Sequence, residues 1–338
     1  MKISDRIVSA GARAFTAVTR KRRLVVATFH RVGEGYPVGP RQIRHHMEYL
    51  ARHYEPVPAS EVVSGALPGR AAAVVVDDAH RDAYEHIFPV AVELRFPLSI
   101  AVPTDFFMRG RWLWFDQYYW MLRNAAVGAE ADIAGNRPRV GDRASEAAAK
   151  LTLKRMRPTE RAGFLVDLAR QLGCVPPPAS TDEYAPVTKP QMREMLTSGL
   201  VELCGHTVTH TIATVLEDDA LRTELAQCKK ELEGFSGHEV SAFCYPNGHA
   251  GDFDERTRMA LKAAGYKLAF TSVEGCNPAD TMDVMELSRI HAHRRSAVFE
   301  KNASGLGDVQ RRLFGGDDAV VGPTSAGEKA DVPAPAKQ

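Results

Sequence analysis

The sequence has no apolar run of about 18 residues, so it offers no helix able to cross a bilayer. Its first stretch, MKISDRIVSAGARAFTAVTRKRR, lacks a continuous apolar core and a clear cleavage site, so no secretory signal is expected. Cysteine is scarce. The five residues Cys174, Cys204, Cys228, Cys244 and Cys276 are odd in number and never form a CxxC pair. That excludes a disulfide framework and favours reduced, mostly buried thiols in a cytoplasmic protein. Excess charge is missing too. With 43 basic and 42 acidic side chains the formal net charge is +1, which excludes a polyanion binder by bulk charge and leaves no nucleic-acid partner to expect. No internal repeat is present.

What remains is an ordinary globular composition, 44% hydrophobic and 25% charged over 338 residues, enough for one large α/β domain or two ordinary ones. Residues 2–20 read as a helix with Ile3, Ile7, Ala14, Phe15 and Val18 at helical spacing. Arg6, Arg13 and the cluster Arg20, Lys21, Arg22 and Arg23 flank that stripe. Such a helix either packs on the domain or lies weakly on an anionic membrane through residues 2–23. Short apolar runs then alternate with helical stretches. LVVATFH (24–30), AAAVVVDD (71–78), PLSIAVP (97–103), LVELCGH (200–206), SAFCYPNG (241–248), KLAFTS and ELSRIHAH read as buried strands. Helices are expected at about 41–53 and 217–234, with a kink near Pro89 in another. The alternation predicts a parallel α/β fold. Residues 112–175, opening on WLWFDQYYWMLRNA, read as a helical insertion rather than a second domain. Residues 1–23 form an N-terminal amphipathic helix, 24–302 the main domain, and 303–338 a low-complexity tail, disordered over 316–338.

Polar residues gather where the apolar strands end: His30, Asp77, Asp78, His206 and the YPNG turn. In parallel α/β folds that edge carries the site. HTVTH sets His206 and His210 four residues apart, which on a helical turn lets both rings grip one ion. Asp77 and Asp78 follow an apolar run. They either cap the next helix, or one ligates a cation while the other moves a proton.

VVVDDAHRDAY, HTVTH and FCYPNG resemble the first three motifs of the polysaccharide deacetylases, the superfamily of the nodulation chitooligosaccharide deacetylase. FHRV, LWFDQYYWMLR, KPQMREMLTSGLVELCGH and ELSRI add weaker likenesses, and together these span roughly residues 24–300. The resemblance implies a distorted barrel of about seven parallel strands with outer helices. It implies Asp77 as catalytic base, Asp78, His206 and His210 as metal ligands, and the Asn247 N–H, beside Tyr245, as an oxyanion-stabilising donor to a carbohydrate substrate. One oxygen and two nitrogen ligands suit zinc, and also cobalt, nickel or iron.

Departures from the pattern are specific. Ala79 and His80 stand where the family has glycine and an aromatic, and Asn247 replaces the usual tyrosine. The motif-three arginine is absent. In place of a clean general-acid element, LSRIHAHR offers Arg289, His291 and His293 on one strand face by period two. His291 is the acid this reading selects. His30 and Arg289 are candidates to orient the reacting groups. The leading expectation is a metal-dependent hydrolase that removes N- or O-acetyl groups from a carbohydrate. The alternatives are a catalytically degenerate glycan- or partner-binding barrel, or a hydrolase of another non-peptide C–N bond.

Overall fold

Runs rich in alanine and β-branched residues form seven parallel strands: β1 Arg23–Phe29, β2 Arg70–Val76, β3 Leu98–Val102, β4 Val201–Gly205, β5 Ala242–Cys244, β6 Leu268–Glu274 and β7 Leu287–His291. The computed structural model describes residues 3–18, 22–33, 36–63, 65 and 67–314. Each strand pairs with the next, β7 pairs with β1, and β1 pairs with β2, so the sheet closes into a barrel. Two-residue strands add to it: Glu55–Pro56 on β2 and, antiparallel, Asn277–Pro278 on β1. The expected distorted (β/α) barrel is the fold observed.

Period-two alternation divides the strand side chains between two cores. Leu24, Val26, Ala71, Ala73, Val75, Ala101, Cys204, Leu268 and Phe270 form the cluster inside the barrel. Many are small, as a barrel of only seven strands requires. Val25, Ala27, Phe29, Val74, Ile100 and Ala269 face outward against Ile43, Met47, Leu225 and Leu232 of the surrounding helices. The helix over residues 83–94 accommodates Pro89 through a π-helical turn, Ala83–Ile87, ahead of α-helix Phe88–Leu94. All five cysteines are free.

Residues 112–175 hold three helices, Trp114–Asn124, Arg143–Arg155 and Pro158–Gln171. They share a separate cluster built on Trp114, Tyr118, Met121, Ile133, Leu153 and Leu168. The chain also stays helical beyond residue 303, where the sequence suggested a tail. After helix Ser296–Ala303, Gly305 turns the backbone at φ +82° into helix Leu306–Phe314. Arg20, Lys21 and residues 316–338 lie outside the described residues.

The N-terminal helix, Ile3–Val18, packs the other way round from its hydrophobic stripe. Among its described side chains Ser9, Ala12 and Thr16 are buried, while Ile7 is 67% exposed, Ala14 is exposed and Phe15 is half-buried. Small side chains permit close approach to helix Ser296–Ala303, and the polar ones are satisfied locally. Thr16 Oγ1 donates to Ala12 O at 2.9 Å, and Asp5 pairs with Arg295 at 2.6 Å. No helix among the described residues is long and apolar enough to cross a membrane.

Candidate metal centre and active site

Asp77 continues the inward parity of Ala71, Ala73 and Val75, so its carboxylate caps the barrel interior. There it meets Arg289, which shares the inward face of β7 with Leu287. Arg289 Nη1 donates to both Asp77 oxygens at 2.8 Å, and the two residues are 1% and 2% exposed. Nη1 also reaches Thr28 Oγ1 and Nη2 donates to Ser272 Oγ, both at 2.9 Å, while Nε donates to the Thr271 carbonyl. His30 Nε2 lies 3.0 Å from Asp77 Oδ2, and the Cys244 thiol donates to Oδ1 at 3.4 Å. Burial opposes ionisation of Asp77, but Arg289 and then His30 outweigh it and hold the carboxyl well below its usual range.

By parity alone Asp78 would point away from Asp77. The chain turns first: Asp78 has φ +69° and Ala79 φ +57°. Both occupy the left-handed region that glycine prefers, with Ala79 in the position the family gives to glycine. Two backbone bonds hold the turn, Val187 N–H to Ala79 O and Arg81 N–H to Ala185 O, each 2.9 Å. The turn brings Asp78 Oδ1 to 3.1 Å from His210 Nε2 and 3.5 Å from His206 Nε2.

The histidine segment is not the helical turn expected from its spacing. It is a loop after β4 in which Thr207 and His210 have φ +61° and +53°. Thr211 N–H donates to Thr207 Oγ1, and Glu224 accepts the Val208 and Thr209 N–H groups at 2.7 and 3.0 Å. Those bonds substitute for helical ones and still converge both rings. His206 Nδ1 donates to Cys244 O at 2.7 Å, which directs Nε2 toward Asp78.

The donor set fits a divalent cation. Asp78, His206 and His210 each offer a ligand atom, and these atoms lie within 4.8 Å of one another. All three residues are buried, and Asp78 Oδ1 accepts no hydrogen bond. A buried carboxylate oxygen without a donor, facing two imidazole nitrogens, matches the oxygen and nitrogen ligation of zinc and its neighbours. Asp77, His206 and Cys244 also approach within 4.8 Å, which sets Asp77 beside the triad.

Other sequence candidates divide. Asn247 adopts φ +60° in the turn after β5. The turn closes through Gly248 N–H to Pro246 O and Ser272 N–H to Gly248 O, which leave the Asn247 N–H out. Gly248 is required here: it has φ +67°, and a Cβ would lie 2.8 Å from the Ser272 nitrogen. Tyr245 takes no place at the site surface. It is 1% exposed, its ring stacks on Phe253, and its hydroxyl donates to Met285 O at 3.0 Å. The inward parity of β5 belongs to Ala242 and Cys244, so Tyr245 turns into the outer core.

His291 Nε2 donates to Ser272 O at 3.1 Å, and burial followed by Arg289 pushes its pKa down to about 4. His293 lies past the strand and receives the Arg295 N–H. His30 behaves oppositely. Burial lowers its pKa, but Asp77 outweighs that and raises it to about 9, while its side chain remains 40% exposed. The local sequence pattern does not mark His249, on the motif-three turn, whose pKa is lowered by burial and then by Lys154.

Residues 177–269 match the sequence model of the family described as polysaccharide deacetylase, a span that includes β4, His206, His210, β5 and Asn247. No curated protein matches the chain. Among solved structures, the deacetylase PplD of Streptococcus pyogenes, in complex with acetate, is 17% identical, with a TM-score of 0.55 over 81% of this chain and 94% of that one. IcaB from Ammonifex degensii is 17% identical, with a TM-score of 0.56 over 84% of this chain and 98% of its own. A polysaccharide deacetylase from Bacillus cereus is 15% identical, with a TM-score of 0.53 over 85% and 70%. At these identities the structural likeness establishes the barrel, and the sequence match covers the part of it from residue 177 to residue 269. The matched span, 177–269, is similar to the polysaccharide deacetylase family, and the barrel as a whole is similar in fold to deacetylases.

Proposed function

We propose that this chain removes N- or O-acetyl groups from an acetamido sugar of a surface polysaccharide or its lipid-linked precursor. Asp78, His206 and His210 would hold a divalent ion, zinc or else cobalt, nickel or iron. Such an ion supplies Lewis-acid activation of water and of the acetyl carbonyl. One observation carries the reading: adjacent aspartates are split between two tasks. Asp78 turns to the histidines, and Asp77 is held ionised by Arg289 beside them.

Asp77 is the group placed to accept the proton of the attacking water. The Asn247 N–H is the donor available to the developing oxyanion. The leaving amine or alkoxide needs a proton, and His30 is better suited to give it than His291. His30 is charged at neutral pH, contacts Asp77 and is partly open to solvent. His291 is neutral and spends Nε2–H on a carbonyl.

The test is acetate release from a panel of acetamido sugars by chelated protein, with and without added metal. Asp77→Asn should keep the metal and lose at least about 100-fold in rate, the lower range for a positioned base. Asp78→Asn should lose both. Full activity in Asp77→Asn would remove the base assignment. No turnover by the wild type would leave a glycan-binding barrel.

A weak attachment of the N-terminal helix to anionic membranes belongs to the same proposal. It is supported by the outward Ile7 and Ala14 and the exposed Arg6 and Arg13 beside them. It would serve a lipid-linked substrate.

A further inference from the structure

The first turn of helix Trp114–Asn124 reaches both loops that carry the proposed ligands. The Phe115 ring meets His210 edge-on, with centroids 5.0 Å apart. Trp114 lies under the Arg161 guanidinium at 4.8 Å, and Arg161 donates to Thr211 Oγ1, next to His210, at 3.1 Å. Asp116 contacts the other loop: its Oδ2 lies 2.7 Å from His80 Nε2, two residues beyond Asp78. Three consecutive residues of the insertion thus address the metal triad from outside it.

We propose that this turn is a clamp over the metal centre, in which Asp116 and His80 are positioning residues for Asp78. The inference rests on the reading of Asp78, His206 and His210 as ligands.

The argument starts from the backbone. Asp78 and Ala79 adopt left-handed conformations without the glycine that would make them easy. A conformation of that kind persists only when its surroundings fix it. His80 provides one anchor. At 1% exposure its ring packs against Phe106, centroids 5.0 Å apart, as an aromatic residue would there. Its Nε2 adds what a phenyl ring cannot, a charge-assisted bond to a carboxylate that is itself 4% exposed. Asp116 is in turn held by Arg31, whose Nη1 lies 3.9 Å away and whose Nε binds Asp82 at 2.9 Å. Arg31 and Asp82 flank the two aspartates' loop, so the insertion, the end of β1 and the metal loop form one buried polar unit. Outer partners of this kind orient a ligand and set metal affinity even though they never touch the ion. The departure from the family pattern at Ala79 and His80 is on this account a substitution of one device for another: a hydrogen-bonded anchor replaces conformational freedom.

The experiment is a calorimetric Zn²⁺ titration of the chelated full-length chain, paired with thermal melting of the same metal-free samples. His80→Phe keeps the ring and removes the bond. The double variant His80→Phe, Asp116→Leu removes the buried pair without leaving an unpaired carboxylate. Both should bind Zn²⁺ about 10- to 100-fold more weakly than wild type, the range for lost outer partners. The metal-free double variant should melt close to wild type. Asp116→Asn, whose amide oxygen still accepts from His80, should retain most of the affinity. A folded double variant with wild-type affinity overturns the clamp, as does a full loss in Asp116→Asn equal to that of His80→Phe. If the double variant does not fold, His80→Phe against Asp116→Asn decides by the same comparison. Wild type that binds no Zn²⁺ overturns the ligand assignment itself, a result distinct from variants that bind as well as wild type.

Discussion

Replacing Arg289 with methionine isolates the electrostatic centre of the barrel. The guanidinium and Asp77 are 1% and 2% exposed, so neither is compensated by water. Methionine fills much of the volume but leaves Asp77 with only His30 and the Cys244 thiol. Removing one partner of a buried ion pair costs about 3–5 kcal/mol, because the other charge stays buried. Against a typical folding stability of about 5–15 kcal/mol, that is a large fraction. The sign of the pH dependence follows from Asp77. Its folded pKa is depressed, so its contribution is present above the unfolded value of 3.8 and is lost as pH falls through the folded value. Without Arg289 the folded pKa of Asp77 rises, because its strongest opposing charge is gone while burial stays, so the variant loses less stability than the wild type as pH falls. The stability gap between the two proteins should therefore be about 3–5 kcal/mol at neutral pH and narrow toward about pH 4. Urea denaturation of chelated protein at several pH values measures it. The double variant Asp77→Asn, Arg289→Met should recover part of the loss. A gap under about 1 kcal/mol at neutral pH, or one that does not change on acidification, refutes the argument, since exposed pairs contribute no more than that.

The histidine beside the aspartate carries a separate expectation. The pair His30–Asp77 raises the His30 pKa from 6.5 to about 9, so its stabilising effect is full below 6.5 and lost as pH rises through about 9. If protonated His30 is the acid, the wild-type rate falls over that upper limb. His30→Gln should lower the rate by about 100-fold and flatten the limb, whereas His291→Gln should leave it in place. The N-terminal helix is tested with vesicles. Binding at low salt to membranes rich in anionic lipid should weaken in Ile7→Asp, and sedimentation that is identical for the two proteins counts against attachment.

The barrel and the reacting groups were legible because both depend on local pattern. Apolar runs ending in Asp77, Asp78, His206 and the YPNG turn mark strand ends, and period two puts Arg289 and His291 on one face of β7, but which face turns inward is decided only by how the sheet closes. The partnership of Asp77 and Arg289 was not legible. They are 212 positions apart, and no local rule links them. The same holds for His80 and Asp116, whose bond depends on how the insertion folds back. Two local readings met competing physics. The histidine pair suggested a helical turn, but side-chain and backbone bonds through Thr207 and Glu224 stabilise a loop instead. The stripe on the N-terminal helix marked its apolar face, whereas close helix packing selected the face with Ser9, Ala12 and Thr16.

The closure of the barrel is uneven. β1 and β2 align from Arg23↔Arg70 to Phe29↔Val76, but β4 and β5 share only the rung Gly205↔Phe243. Gly205 makes room there for two rings, since a Cβ would run into the Tyr266 hydroxyl and lie 2.9 Å from the Phe243 ring. Just above it, the imidazole of His206 spans the gap to the Cys244 carbonyl. A proposed metal ligand thus replaces the backbone bond that an ordinary sheet would place there. Whatever engages the far nitrogen of that ring also fastens β4 to β5, and any widening between them frees the ring. If these residues hold an ion as proposed, its release and amide exchange along β5 would share one opening event, and a tighter seam would slow both together.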